Sequence, residues 1–564
     1  MPEIIAQLKT ARAALTAPGA PFEMIETVVE GRAQKRYRHA FATLPAFLDA
    51  GRAHGEREFM VYEGDRWTFG RFYRAADALA HGLRDTLGVK PGDRVAIAMR
   101  NRPEWAVGFV AAGLIGAVPA PLNSFGLEAE LSDALRTVDA RVLICDVDRY
   151  TRVVGHLADV DCKAIVVDGD APAHGAALAL GALLENAPEG AVGGVAVAPD
   201  DAALILFTSG ATSHPKGVLS THLALCQSLY NLDFIGALAA QTSPNVVKAM
   251  MERGFAPTTL TAVPLFHVSG LHAQLLLSLR HGRRLVLMHR WDPARAIDLI
   301  KAERITQFSG APSMLLQVLA EPGFNDPEVL RSLGGLGAGG AGLPQRAIGQ
   351  LNRLPNMMSG AGFGMTESNG VGAGISGEAF YRQPTSAGMV SPLMELRIAD
   401  LDGNPLAAGE RGEIWLRGAP VMQGYWRNPE GTAQALQDGW LRTGDVGYVD
   451  GDGCLFIVDR IKDVINRNGE KIAAAEVESC LLQHPKIMES AVFSLPDDVA
   501  GEQVAAVVVP KPSSSLTVAE VDAHVRALLA AYKVPSRIFV RHEALPRNPT
   551  GKLRKADLKQ QYSS

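Results

Sequence analysis

From Leu204 to Gly217 the chain reads LILFTSGATSHPKG. An apolar, strand-forming run, Leu204–Phe207, passes abruptly into hydroxyls, small residues and a lysine: Thr208, Ser209, Gly210, Thr212, Ser213, Lys216 and Gly217. A loop of that composition turns backbone N–H groups, hydroxyls and an ammonium toward one anion, which is how proteins cradle phosphate. It departs from the common P-loop, because Pro215 stands where that pattern wants glycine and Val218 where it wants a hydroxyl. The bland reading of the loop alone is a surface turn. At Phe363–Glu367, FGMTE sets an aromatic, a glycine, a hydroxyl and a carboxylate close together. Those types stack a base, approach a phosphate and hold a hard divalent cation. WLRTGD, Trp440–Asp445, ends on a carboxylate suited to a ribose diol, and PRNPTGKLRK, Pro546–Lys555, presents Lys552 on a glycine turn. Taken singly, each of these is as compatible with an ordinary turn.

The elements that must carry these residues alternate in period. From Trp67 onward helical patterning alternates with short apolar strands at Arg94–Met99, Ala117–Pro121, Val142–Cys145 and Ala164–Val167. Strands separated by helices indicate a parallel, doubly wound α/β block. Residues 1 to about 55 read as an irregular, partly helical lead-in, and Ala171–Pro199 as a loose surface connection. Thr221 is placed to cap a helix running to about Ala239. A second α/β block follows, with strands at Leu260–Pro264, Arg284–Met288 and Thr306–Ser309 and helices at Pro293–Glu303 and Pro312–Leu319. The dense glycines of Gly334–Gly342 suggest backbone close to a flat ligand. Met394–Tyr448 changes to β-hairpins with turns at Asp402-Gly403 and Gly409-Glu410, a small antiparallel sheet or barrel. The last hundred residues form a compact α+β unit, and the boundary falls inside Asp459–Ile472 (DRIKDVINRNGEKI), dividing 1–461 from 462–564.

Size and composition agree. A chain of 564 residues exceeds one core and implies three to four domain-sized units. Apolar residues are 47% and charged residues 20%, which excludes disorder, and a net charge of -5 gives no general attraction for nucleic acid. The basic run Arg32, Lys35, Arg36, Arg38, His39 reads as a solvated face. The five scattered cysteines lack C-x-x-C spacing, which fits a reducing, cytoplasmic compartment rather than a disulfide frame or zinc site. The N-terminus shows no apolar signal region. Trp105–Gly126 is uncharged and long enough to raise a membrane span, but its Gly, Ala, Pro119 and Pro121 favour a buried helix turning into a strand.

Together and in this order, TSGATSHPKG, PLFHVSG, FGMTE, LRTGD, DRIKDVI and NPTGK resemble the class I adenylate-forming enzymes, the superfamily of acyl-CoA synthetases, 4-coumarate–CoA ligases, luciferase and peptide-synthetase adenylation domains. The resemblance runs from about Trp67 to Lys555, and acyl-CoA synthetases look closest. It implies a large N-terminal domain of two doubly wound α/β subdomains plus a small β-barrel-like subdomain, followed by a small mobile α+β domain. It also implies ATP, Mg²⁺ and coenzyme A as the ligands. By that resemblance Thr208, Ser209, Gly210, Thr212 and Lys216 hold the β- and γ-phosphates. Phe363, with Gly364, and the backbone of Gly340, Ala341 and Gly342 sandwich the adenine. Thr366 contacts the α-phosphate, Glu367 binds Mg²⁺, and Asp445 and Arg460 hold the ribose. Lys552 bridges the substrate carboxylate and the α-phosphate. Lys462 is the hinge about which the C-terminal domain turns, bringing Asn466–Gly469 to the pantetheine tunnel for thiolysis. His267 matches an aromatic gate beside the reacting carboxylate; its bland alternative is a neutral packed core histidine.

Amino-acid-activating relatives place an aspartate soon after the phenylalanine matched by Phe266, whereas His267, Val268 and Ser269 follow here. An unpaired buried ammonium is costly, so a non-amino carboxylic acid, fatty or aromatic, is expected. The chain departs from the family pattern at Ala211, Ser213, Ala361, Phe363 and Asn466, which bears on phosphate affinity and on CoA. Competing readings are an enzyme that loads a separate carrier protein, a non-catalytic nucleotide- or acyl-binding descendant, and a luciferase-like monooxygenase. The expected partners are a small-molecule acid, ATP and CoA, without nucleic acid or an integral membrane segment; a homodimer is one option for assembly.

Overall fold

A computed structural model describes residues 2–563 except 30, 169–176, 209–214, 340–344, 355, 469, 498 and 550. The first α/β block is a parallel sheet in the order Val118–Pro121, Arg94–Ala98, Val142–Cys145, Lys163–Val166, Ala177–Ala179. The expected strands are present within a residue or two of their predicted ends. The stretch read as a loose connection contains the edge strand Ala177–Ala179 and the helix Leu180–Glu185, which alanine-rich composition conceals because it has no periodicity. The uncharged run after Trp105 resolves into the buried helix Pro103–Leu114 and the strand Val118–Pro121, neither long enough to span a bilayer. Among the described residues one helix, His222–Thr242, is long and apolar enough to do so by composition. Half of that window is buried, and Leu225, Leu229 and Phe234 pack into the cores.

The second sheet is larger and its order is not that of the sequence. Strands Arg284–Leu287, Thr258–Thr261, Gln307–Gly310, Gly335–Ala338 and Met358–Phe363 run parallel as neighbours. The strand Glu58–Tyr62, which precedes the first block, adds parallel to Arg284–Leu287, and Asp65–Thr68 pairs antiparallel with it to form the edge. At the other side the sheet turns antiparallel through Ala373–Ser376 and Gly388–Val390 into Cys454–Arg460, Trp440–Val449, Gly412–Gly418 and Met394–Ala399. The expected antiparallel β unit is thus hydrogen-bonded in series with the parallel strands. The lead-in holds more order than its sequence suggests: a helix Pro2–Thr16, a hairpin Met24–Val29/Arg32–Tyr37 and a helix Leu44–Ala50.

The C-terminal unit has its own sheet, Glu470–Ala473, Val464–Arg467, Gly501–Pro510, Ile487–Asp497, with Arg537–Val540 parallel to Gly501–Pro510. Separate apolar clusters, around Val477, Val492 and Val521 and around Phe493, Val507 and Leu558, cover its faces. The chain is therefore mixed α/β with a large N-terminal and a small C-terminal domain.

Thr221 performs the capping expected of it. Its Oγ1 accepts from Ala224 N at 3.1 Å, and the helix it starts runs from His222 to Thr242. Because this helix packs against both blocks, losing the cap should register in global stability. Thr221→Ala is expected to cost ~1 kcal/mol, read as a lower unfolding midpoint with unchanged far-ultraviolet dichroism at low temperature.

Candidate active site

The phosphate-type loop is carried by a hairpin, not by a strand leading into a helix. Ala202–Phe207 pairs antiparallel with Gly217–Thr221, Phe207 lies opposite Gly217, and Thr208 N donates to Lys216 O at 3.0 Å. Of the predicted loop residues, Thr208 and Lys216 are placed at the loop's two ends, while Ser209, Gly210 and Thr212 lie outside the described residues, as do Gly340, Ala341, Gly342 and Gly469. On the far side of Gly217–Thr221 the short strand Gly424–Tyr425 adds antiparallel. This brings Tyr425, a residue the sequence reading passed over, between two of the predicted groups. The Lys216 Nζ stands 4.8 Å from the centre of the Tyr425 ring, and the Tyr425 hydroxyl donates to Glu367 Oε1 at 2.8 Å. A Tyr two residues after a Gln and followed by Trp in MQGYW is the only local signal, and it reads equally well as a packed strand end.

Glu367 sits in a single turn of 3₁₀-helix, Thr366–Ser368, that follows Met358–Phe363. The turn is tight enough to demand glycine at Gly364, where a Cβ would lie 2.2 Å from Gly370 O. Asn369 ends it with a φ of 50°, and its side chain accepts from Ser220 Oγ at 2.9 Å and donates to Pro420 O at 2.9 Å. The backbone of Glu367 is tied to the same neighbourhood, since its carbonyl accepts from Met422 N at 2.8 Å. Burial raises the Glu367 carboxyl above its ordinary range, while the Tyr425 hydroxyl, Arg460 and Lys552 favour its anion.

Asp445 and Arg460 face each other across the antiparallel strands Trp440–Val449 and Cys454–Arg460, with Nε 3.0 Å from Oδ1. Asp445 is 6% exposed, and burial raises its carboxyl against the pull of Arg460 and Lys552. Thr443 orients this stretch: its hydroxyl donates to Ile414 O at 2.7 Å and accepts from Asp445 N at 3.1 Å.

Lys552 rides on a turn closed by Asn548, which accepts from Gly551 N through its carbonyl and from Lys552 N through its side chain, both at 2.9 Å. Gly551 has a φ of +82°, and a Cβ there would stand 2.8 Å from Ala311 Cβ, at the start of the helix Pro312–Ala320. The conformation and the close approach both require glycine. This docking carries the Lys552 ammonium into the N-terminal domain. Burial lowers its pKa, Arg460 adds to that, and Asp445 and Glu367 oppose it.

His267 precedes the short helix Val268–Gly270, and its Nδ1 accepts from Ser269 N at 3.4 Å and meets Ser269 Oγ at 2.9 Å. That leaves the proton of the neutral ring on Nε2. Burial, then the charges of Lys552 and His272, push its pKa down to about 3, so the ring is neutral in ordinary buffers. The structure thus gathers Lys552, Glu367, Asp445, Arg460 and His267 into one electrostatically coupled group, with Phe363 and Thr366 on the strand and turn that carry Glu367. Lys462 lies in the one-turn helix Ile461–Asp463 directly after Arg460. Asn466 is the exposed residue of the strand Val464–Arg467, and its N–H donates to Glu502.

A buried ammonium from the C-terminal unit thus lies among carboxylates, a guanidinium and a neutral imidazole of the N-terminal domain. A family model described as "AMP-binding enzyme" matches residues 47–426, and one described as "AMP-binding enzyme C-terminal domain" matches 476–552. The chain is 32% identical over 504 residues to 4-coumarate--CoA ligase 3 of Oryza sativa subsp. japonica, covering 88% of this chain and 87% of that protein. It is 35% identical over 507 residues to feruloyl-CoA synthase of Amycolatopsis sp, covering 88% and 94%. ATP-bound MatB from Rhodopseudomonas palustris superposes with a TM-score of 0.80 at 26% identity, over 93% of this chain and 99% of that one. The chain belongs to the AMP-binding enzyme family, the adenylate-forming superfamily of acyl-CoA synthetases.

Tyr425 touches Lys216 with its ring and Glu367 with its hydroxyl, so the two contacts are separable. Tyr425→Phe keeps the ring beside Lys216 and removes the bond to Glu367. It should weaken ATP-dependent turnover about tenfold, the scale of one hydrogen bond to a charged group. Tyr425→Leu should lose more and also raise the KM for ATP. Equal kinetics for Tyr425→Phe and wild type would remove the hydroxyl from the site.

Proposed function

We propose that this chain activates an aromatic, hydroxycinnamate-like carboxylic acid with ATP and passes the acyl group to coenzyme A. The chain is an AMP-forming acid–thiol ligase, and the finer choice of acid is supported by its 4-coumarate and feruloyl relatives. The observation that carries the reading is the placement of Lys552: a lysine from the C-terminal domain held among Glu367, Asp445, Arg460 and His267 of the other domain. Two anions, a carboxylate and an α-phosphate, must approach for the first step, and a desolvated ammonium between them offsets their repulsion. A carboxylate oxygen then bonds to phosphorus as the bond to pyrophosphate breaks. No proton is removed, so neutral His267 serves as a wall and a donor rather than a base. Catalysis is positioning and electrostatic stabilisation.

The donor set also fits a divalent ion. Among the described residues no cluster of three or more His, Cys, Asp or Glu exists to hold a metal unaided. Glu367 is a buried carboxylate beside the clamp, and Mg²⁺ commonly takes one or two carboxylates and completes its shell from phosphates and water. When bound there it supplies neutralisation of phosphate charge. Thr208 and Lys216, with Ser209, Gly210 and Thr212, are assigned to those phosphates. Gly340, Ala341, Gly342, Phe363 and Gly364 are assigned to adenine, Asp445 and Arg460 to ribose, and Thr366 to the α-phosphate.

For the second step the domains are divided at 461/462 and the C-terminal one turns about Lys462, withdrawing Lys552 and presenting Asn466 and Gly469 to CoA. The exposed position of Asn466 supports a rearrangement between the steps. The five buried, free cysteines support a reducing, cytoplasmic setting.

Lys552→Ala is expected to cut acyl-AMP formation at least ~10²-fold, the scale of losing one preorganised charged contact. It is measured as pyrophosphate release with 4-coumarate and ferulate, and release at the wild-type rate would overturn the assignment. Lys462→Pro is expected to leave that half-reaction within a few-fold and abolish thioester formation, because proline fixes φ at the hinge. Equal loss in both half-reactions would count against rotation about this residue.

A further inference from the structure

The helix Ala474–Leu481 of the C-terminal unit has no cap of its own. Ala473 stands at its N-cap and offers no side-chain acceptor to the first turn, whereas the helix Val518–Leu528 of the same unit is closed by Thr517 and Glu520. The missing acceptor comes from the large sheet. Asp459 lies on the strand Cys454–Arg460, opposite Val446. Its Oδ2 accepts from Ala475 N at 3.1 Å and its Oδ1 from Arg460 N at 2.8 Å. Asp459 is 8% exposed, so its carboxylate depends on these two backbone donors and on the charge of Lys555.

The contact straddles Lys462. Asp459 precedes that residue and Ala475 follows it, so a turn about Lys462 carries the helix end away from the carboxylate. The effect reaches Lys552. Glu478 lies three residues beyond Ala475, on the same face of the helix. Its Oε1 pairs with Lys555 Nζ at 2.8 Å and accepts from Val492 N at 2.8 Å. Lys555 opens the helix Lys555–Tyr562, three residues after Lys552. One path therefore runs from a carboxylate of the N-terminal domain, through a helix end and an ion pair, to the turn that carries Lys552. Breaking the path at Ala475 takes a donor from a carboxylate held out of water and the cap from a helix.

We propose that Asp459 is a positioning residue, a helix cap lent across the domains that holds the C-terminal unit with Lys552 in the cleft and is given up when that unit turns for the second step. This rests on the ligase reading and names the contact that weights its two orientations. Each half-reaction draws on one orientation, so the ratio of their rates follows the orientation equilibrium itself. The full-length enzyme is given the acid it activates best from an aromatic and fatty panel, at saturating ATP. Pyrophosphate release is compared with thioester formation from the supplied acyl-AMP of that acid and CoA. Asp459→Ala is expected to lower the ratio of the first rate to the second about three- to tenfold, the scale of a lost charged cap. Asp459→Asn, which keeps one oxygen acceptor, should lower it less, and Asp459→Glu should retain part of the wild-type ratio. The KM for ATP should stay near the wild-type value, which separates loss of the cap from disturbance of Arg460. Equal loss in both half-reactions, or an unchanged ratio, overturns the proposal. Where the variants fold poorly, wild type decides it by hydrogen exchange of residues 474–481 with a non-reactive sulfamoyl analogue of the acyl-AMP, before and after CoA is added. Faster exchange with CoA upholds the cap and its release, and unchanged exchange overturns them. If wild type activates no acid of the panel, the ligase reading fails and the proposal falls with it; an active wild type with an unchanged ratio removes the proposal alone.

Discussion

Charge held out of water, and only partly compensated, is the constraint on which the site depends. Glu367 and Asp445 are carboxylates raised by burial, and Lys552 is an ammonium lowered by it. Each is tolerable because oppositely charged groups are near. Arg460 satisfies part of Asp445, and the Tyr425 hydroxyl part of Glu367. Such a mixture of buried charges of both signs is complementary to a guest that brings both a cation and anionic oxygens. Under the proposed assignment a metal–nucleotide complex is such a guest.

That constraint explains why the scaffold is so indirect. The residues come from a hairpin loop, a 3₁₀ turn at the end of a parallel strand, a pair of antiparallel strands and a turn from another domain. The large sheet solves the problem by changing from parallel to antiparallel at Met358–Phe363/Ala373–Ser376, next to the turn that holds Glu367. The parallel half delivers strand ends to the cleft, and the antiparallel half delivers Asp445 and Arg460 as cross-strand neighbours. Each half alone would supply only part of the charge.

Much of this was legible in the residues themselves. Strand runs such as Val142–Cys145 are apolar and bounded by breakers, so their ends are nearly right, and Thr221 announces its helix because a hydroxyl cap has few other uses there. The motif order singles out Lys216, Glu367, Asp445, Arg460 and Lys552, and the last four of these do come together in the fold. Partners supplied by the fold were not legible. Tyr425 becomes informative only when Gly424–Tyr425 pairs with Gly217–Thr221, and Asn369 only when Ser220 and Pro420 arrive from elsewhere. The edge strand Ala177–Ala179 was hidden by low side-chain contrast. The assignment of Glu58–Tyr62 to the second sheet depends on a crossover that local pattern does not encode.

That crossover also sets a condition on biosynthesis. Met60 pairs with Leu285 and Val61 with Val286, so the strand leaves the ribosome long before its partner does. At about 5–20 residues per second the interval is on the order of ten to forty seconds. Throughout it Phe59, Met60 and Val61, all buried in the finished protein, belong to an apolar segment with an unpaired backbone edge. Asp65–Thr68, emerging next, pairs one edge, and the helix Phe69–His81 stacks Phe69 on Phe59 and shields one face, but the edge that takes Arg284–Leu287 stays open. The nascent chain therefore passes through a stage in which its first block is complete while this strand still waits.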